Sequence, residues 1–343
     1  MSPINIGRRE FCAGLSSLAL VAGCGGGCQG VPADRAASGP IPDGDAPAAL
    51  TTTVYGSGRA RVVEVRWGSA VAPDGQVNAA RVELMLQAAM EKLESPWSTW
   101  AGATRRISIK VNSITSQAFT HPELAGAVAV GLVGAGADPA RVTVWDRDTE
   151  SLRRRGFTID KTGKTLGYRC LGTDAGDSSE PRKSAVVGGS KVYLSRLLTE
   201  ADVLFNVAAL KDHSMAGVTL TLKNNMGMIW GADQLHGNVN LGSGVEPGIS
   251  DLAALPDIRG RLQLAMLDAL VGVCEGGPGP ADPNHTFRHA GILLSLDPVA
   301  LDRRGLAIIE ARREVLGLDP IGKRTQPNPS PTIHIENAAG KLG

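Results

Sequence analysis

The strongest constraint in this sequence is the way its apolar residues change period along the chain. Short alternating runs, suited to one face of a strand, take turns with segments of helical period. Arg61–Trp67, Arg106–Asn112, Arg141–Trp145, Val203–Ala208 and Gly291–Leu296 read as strands, and Leu262–Val273 contains a buried strand-like run. Between them, Ala79–Leu93 places Val82, Leu86, Ala89 and Leu93 on one helical face. Pro122–Gly136, Leu194–Glu200 and Val299–Leu316 also read as helices. Parallel strands need crossover helices, so this alternation predicts an α/β fold: a mainly parallel sheet with helices on both faces. In such sheets ligands bind outside the carboxyl ends of the strands, which is where a ligand cleft is expected.

The segment before the first strand has a different character. Gly7-Arg8-Arg9-Glu10-Phe11 resembles a twin-arginine export signal, and a weakly apolar run follows to Gly23. That run is too short for a membrane span. Leu20-Val21-Ala22-Gly23-Cys24 resembles a lipoprotein processing site, which makes Cys24 the expected lipidation site; the alternative is a plain signal peptide cut elsewhere. Residues 1–23 are therefore read as a signal peptide and 24–53 as a flexible tether rich in Gly, Pro and Ala. The α/β domain is expected over 54–343, with an insertion at about 147–193 and a Gly-rich loop over 231–250. The implied address is exported, on the periplasmic or cell-envelope face. The twin-arginine machinery is the implied export partner, and membrane contact is through the lipid anchor alone.

Polar residues gather where the strands end. Lys110 and Asn112 close the first clear strand, and Asp146 the next. Asn206, Lys211 and His213 lie at and beyond Val203–Ala208. Asp268 falls within Leu262–Val273, with Glu275 after it, and Asp297 follows Gly291–Leu296. Five strand ends delivering such residues favour a site over ordinary loop polarity, although Asp297 before Pro298 also suits a helix cap. In Thr120-His121-Pro122-Glu123, Thr120 is a natural N-cap; His121 is either structural or aimed into the cleft. Lys223 interrupts an apolar stretch, followed by Asn224, and Val218–Leu222 suits a strand or a helix. A lysine there needs a carboxylate, a carbonyl or a bound anion. His236 is either a ligand or a solvated loop residue. His285, His289 and His334 read as surface or structural residues.

Several chemistries find no support. Lys+Arg total 35 against 34 Asp+Glu, and aromatics are 4 %, so neither a basic field nor a stacking surface for nucleic acid is present. The chain has no nucleophile elbow, no phosphate-binding P-loop and no H-E-x-x-H helix. The five cysteines do not form a ferredoxin-like or zinc-ribbon spacing.

Ile109-Lys110-Val111-Asn112, Thr120-His121-Pro122-Glu123, Val144-Trp145-Asp146, Asn206 to His213, Thr219 to Asn224, Asp268-Ala-Leu, Glu275-Gly-Gly-Pro278, Asp297 to Asp302 and the closing Ala338-Ala-Gly-Lys-Leu-Gly343 together resemble the domain-of-unknown-function 362 family. The resemblance runs in family order over most of 105–343. Many relatives carry a ferredoxin-type cluster segment; this chain lacks its cysteine runs, so no iron–sulfur cluster motif is present. The family has no settled activity. A small anionic ligand held by Lys110, Lys211 and Lys223 is expected, with His121 or His213 as acid–base residues. The polar set leaves a metal ion open without naming one. The function expected is an enzyme acting on a small anionic substrate, or a non-catalytic solute- or metal-binding lipoprotein. A structural envelope protein is the weaker third reading.

Overall fold

The computed structural model describes residues 45–114, 117–175, 183–230, 232–235, 246–279, 281–324 and 332–343. The chain enters through β1 (Thr51–Tyr55), β2 (Val62–Arg66), α1 (Ala79–Leu93) and β3 (Ile107–Lys110). It continues through α2 (Pro122–Gly134), β4 (Val142–Asp146), α3 (Thr149–Arg154) and β5 (Arg169–Gly172). Next come β6 (Lys183–Val187), β7 (Ser190–Leu194), α4 (Arg196–Thr199), β8 (Val203–His213) and β9 (Gly217–Val218). They are followed by α5 (Leu220–Asn224), β10 (Ile229–Trp230), α6 (Glu246–Ala254), α7 (Pro256–Arg259) and β11 (Leu262–Val273). The last elements are β12 (Thr286–Phe287), β13 (Gly291–Ser295), α8 (Pro298–Val315) and α9 (Ile333–Leu342).

The main sheet has the order β1-β2-β13-β11-β8-β3-β4-β5. The five strands from β11 to β5 are parallel, and β13, β2 and β1 add antiparallel pairs beside them. This is the α/β fold expected, with helices on both faces. Val82, Leu86 and Ala89 of α1 and Leu124, Val128 and Leu132 of α2 bury one face against Ile107, Ile109, Val144 and Val207. Leu220 and Leu222 of α5, Ile249 and Leu252 of α6, and Leu301 and Ile309 of α8 cover the other. The helix starts follow local chemistry. Asn78 caps α1 by accepting from the Arg81 amide, and Asp297 caps α8 by accepting from Val299 and Ala300.

Several boundaries differ from expectation. The sheet starts at Thr51, earlier than Val54, and Pro47 already accepts a bond from the Gly68 amide. β8 runs on to His213, so Lys211 and His213 lie within a central strand and not beyond it. Its alternation breaks at Lys211, yet the side chain finds partners, and a strand tolerates a polar residue that is hydrogen-bonded. Leu220–Asn224 is helical, which resolves the ambiguity at Val218–Leu222. The stretch 147–193 divides: β5 completes the main sheet, while β6 and β7 form a second sheet with β10. Within 231–250, α6 begins at Glu246, and His236 lies outside the described residues. Cys24 and the rest of the segment before Asp45 also lie outside them.

Candidate functional site

From β3 the chain moves outward to β4 and β5. It then returns to β8 on the other side of β3 and proceeds outward to β11. The crevice between the ends of β3 and β8 is thus the point where the winding reverses, the usual ligand position in an open parallel sheet. Lys110 and Asn112 stand at one lip and Lys211 at the other.

The side chains here form one buried hydrogen-bonded network. The Lys110 ammonium donates to Asp146 Oδ1 at 2.6 Å, to the Val111 carbonyl at 2.6 Å and to Asn224 Oδ1 at 3.4 Å. Asp146 also accepts from the Ser113 amide and hydroxyl at 2.6 and 2.7 Å. Asn112 Nδ2 donates to Asn224 Oδ1 at 3.0 Å, and Asn112 Oδ1 accepts from Lys211 Nζ at 2.6 Å. Lys211 donates further to the carbonyls of Ile114 and Ala118, both at 3.1 Å. Asn206 Oδ1 accepts from Asn224 Nδ2, and its own amide donates to Thr221 O and Asn225 Oδ1. The expected Lys110, Asn112, Asp146, Asn206, Lys211 and Asn224 are therefore brought together.

Lys223 differs from the other two lysines. It is 9 % exposed and has no hydrogen-bond or ion-pair partner among the described residues. Burial pushes its ammonium down to about 8. Burial likewise pushes Lys211 down to about 7; Asp146 offsets this, and the nearby positive charges of Lys223, Arg155 and Lys110 add to it. Lys110 is lowered by burial against the support of Asp146. Positive charge is thus concentrated around Lys211 and Lys223, while Lys110 is committed to Asp146 inside the protein.

His121 occupies the N-cap position of α2, where Thr120 was the expected cap. Thr120 instead accepts from the Asn112 amide and donates to the Val207 carbonyl, pinning the loop to β8. Asp268 accepts from the His121 amide at 2.7 Å and faces Nδ1 at 3.0 Å, an arrangement that orients the imidazole. Asp268 pairs in register with Ala209, two positions before Lys211, so the pair adjoins the network. His213 is the weaker acid–base residue: its Nδ1 accepts from the Met215 and Ala216 amides in a tight turn.

Two expected residues do not join the network. Asp297 follows β13, which runs antiparallel to β11, so it lies at the opposite edge of the sheet and serves as the cap of α8. Sequence periodicity identifies a strand but not its direction. Glu275 is held by Arg313 and Arg324, which also pairs with Asp212, in an ion-pair cluster of its own. Four residues were not anticipated. Ser113 locks Asp146, and Arg155 stacks over Phe119 at 5.3 Å. His334 and Thr219 are buried, with His334 Nε2 and Thr219 Oγ1 lacking hydrogen-bond partners among the described residues. The burial of a histidine in the first turn of α9, or of a hydroxyl just before α5, carries no sequence signal.

Two cavities open at the other edge of the sheet. One of about 340 Å³ is lined by Arg106, Arg141, Arg169 and Arg196, whose charges are met by Glu200, Asp138 and a carbonyl. The other, about 420 Å³, borders Leu262 and Asp297. Unpaired charge, not volume, marks the C-terminal edge. Among the described residues no group of three His, Cys, Asp or Glu side chains could hold a metal ion, and no helix is long and apolar enough to cross a membrane.

The family model for a domain of unknown function, DUF362, matches residues 107–307, more than half of the chain. The chain belongs to that family. No curated protein matches it. The matched span runs from the start of β3 into α8 and contains the whole network described above.

Proposed function

For this member of the DUF362 family we propose a binding site for a small oxyanion at the C-terminal edge of the parallel strands, held by Lys223 and Lys211. The observation that carries this reading is Lys223, a buried cation without a partner among the described residues, beside a second buried lysine. An ammonium without compensation is costly in such a place, and a bound anion removes that cost. His121, oriented by Asp268, is the acid–base residue of the site, which favours an enzyme acting on the anion over a passive binder. The test is a thermal-shift titration with phosphate, sulfate and small carboxylates. The protein is expected to gain stability with at least one of them, and Lys223→Met to lose that gain. The exposed Lys164→Met serves as a surface control. Equal gains in the Lys223→Met variant would refute the site.

The protein acts outside the cytoplasm in this reading. Arg8 and Arg9 resemble a twin-arginine signal, and Cys24 closes a lipoprotein-type processing sequence. Together they support export and a lipid anchor, with the family domain held on a tether.

A further inference from the structure

Near the two lysines stand two more buried polar groups that have no hydrogen-bond partner among the described residues. The hydroxyl of Thr219 is one of them, on a residue 4 % exposed. It lies at the N-cap position of α5 but does not cap it; Asp302 does that work, accepting from the Thr221 and Leu222 amides at 2.8 and 2.9 Å. The Thr219 amide donates to the Lys211 carbonyl at 2.9 Å, which sets Thr219 against β8 at the second lysine, four positions before Lys223. The second group is His334 Nε2, on a residue 1 % exposed. His334 belongs to α9, whose start is tied to the β8–β9 turn by the bond from the Thr332 amide to the Ala216 carbonyl. Lys223 is near enough for its charge to act on the His334 ring, after burial itself, in pushing that ring down to about 3. His334 is accordingly neutral at pH 7 and carries one N–H.

Native proteins rarely leave buried polar atoms unpaired, and such exceptions call for an explanation. Here two neutral groups without partners and one unpaired ammonium come from α5, its cap position and α9. A neutral imidazole can donate to an anion without repelling Lys223. The anion's charge follows from its neighbours: Asp146 already neutralises Lys110, whereas Lys211, Lys223 and Arg155 add their charges to one another.

Building on the oxyanion reading above, we propose that Thr219, Lys223 and His334 form one buried pocket for a doubly charged phosphate group. Lys223 supplies the charge, and the Thr219 hydroxyl and His334 Nε2–H supply directed hydrogen bonds to its oxygens. This gives α9, which lies beyond the family match, a share in the site.

The test is calorimetric titration of the full chain with inorganic phosphate at fixed ionic strength, with acetate as the singly charged comparison. Phosphate is expected to bind at least tenfold more tightly than acetate. Both His334→Leu and Thr219→Val are expected to weaken phosphate at least tenfold, and phosphate should shift the side-chain nitrogen resonances of His334 in the unmodified protein. Methyl phosphate separates two sources of the group: competition with phosphate supports a pocket for a phosphorylated metabolite, and absence of competition supports one for the free ion. Thr219→Val is nearly isosteric, and the nitrogen shift needs no variant, so a folding failure of His334→Leu leaves the proposal exposed to refutation. Phosphate binding that Lys223→Met abolishes but His334→Leu and Thr219→Val leave intact, with no shift at His334, would overturn this pocket while sparing the oxyanion site. Phosphate binding unchanged in Lys223→Met would overturn both.

Discussion

Lys211 Nζ lies 2.6 Å from Asn112 Oδ1 although 99 positions separate them in the chain. The contact closes the crevice between β8 and β3, and the Asn112 amide carries it on to Asn224 and from there to Lys110. Such a path joins three segments at the reversal of the sheet's winding. It holds the lysines in place by neutral oxygens on one side and by Asp146 on the other.

Lys110 and Asp146 are each 1 % exposed. Removing one partner strands a buried charge, so Asp146→Asn is expected to lose about 3–5 kcal/mol of stability. The apolar pair Lys110→Met with Asp146→Leu should lose less than either single change. Urea unfolding measures both. A loss below about 1 kcal/mol for Asp146→Asn would place the pair among weak surface bridges.

Gly227 tests the same pair from outside. A Cβ at this position would stand 2.6 Å from Lys110 Nζ and 3.2 Å from Asp146 Oδ1. The lysine end is flexible in principle but is fixed here by three acceptors. Gly227→Ala is therefore expected to destabilise by about 1–3 kcal/mol through overpacking. In the background of Lys110→Met that loss should shrink, and a double-mutant cycle reads the coupling. Additive losses would show that Gly227 acts independently of the ion pair.

Stability should also depend on pH through Lys211 and Lys223. Their folded values of about 7 and about 8 lie below 10.5. Below pH 7 folded and unfolded chains both hold the protons, and the cost of the buried charges is fully present. Between there and about pH 10.5 the unfolded chain binds more protons, so these two groups make stability rise with pH. Melting temperatures at pH 7 and pH 9 should therefore differ more favourably in the unmodified protein than in Lys211→Met/Lys223→Met. Identical differences would contradict the assigned burial.

Export makes its own prediction. Arg8→Lys with Arg9→Lys should block export, and Cys24→Ala should release the protein from membranes into the soluble envelope fraction. Cell fractionation decides both. Normal export of the double-lysine variant, or membrane retention of Cys24→Ala, would remove the corresponding part of the address.

Much of the fold was legible because period and burial agree. Ala79–Leu93 is predicted and found with the same bounds. The sequence also points to the right edge of the sheet for Lys110, Asn112, Asp146 and Lys211, since polar residues closing parallel strands converge there. Direction was the part that escaped: Asp297 looks like its counterparts until β13 proves antiparallel to β11. Partner choice escaped too. Nothing in the local sequence distinguishes Lys110, which is committed to Asp146, from Lys223, which meets no partner among the described residues. Nor does it tell Thr219 from Thr120, whose hydroxyl is fully engaged. These differences arise only when distant segments pack.

In the proposed reading the Lys223 ammonium is kept for an anion. A crystal structure grown in phosphate tests it most directly. A phosphate oxygen is expected at about 2.7–3.2 Å from Lys223 Nζ, with Lys211 nearby. Lys223 bonded instead to a carboxylate or carbonyl of the protein, with no anion beside it at saturating phosphate, would contradict it.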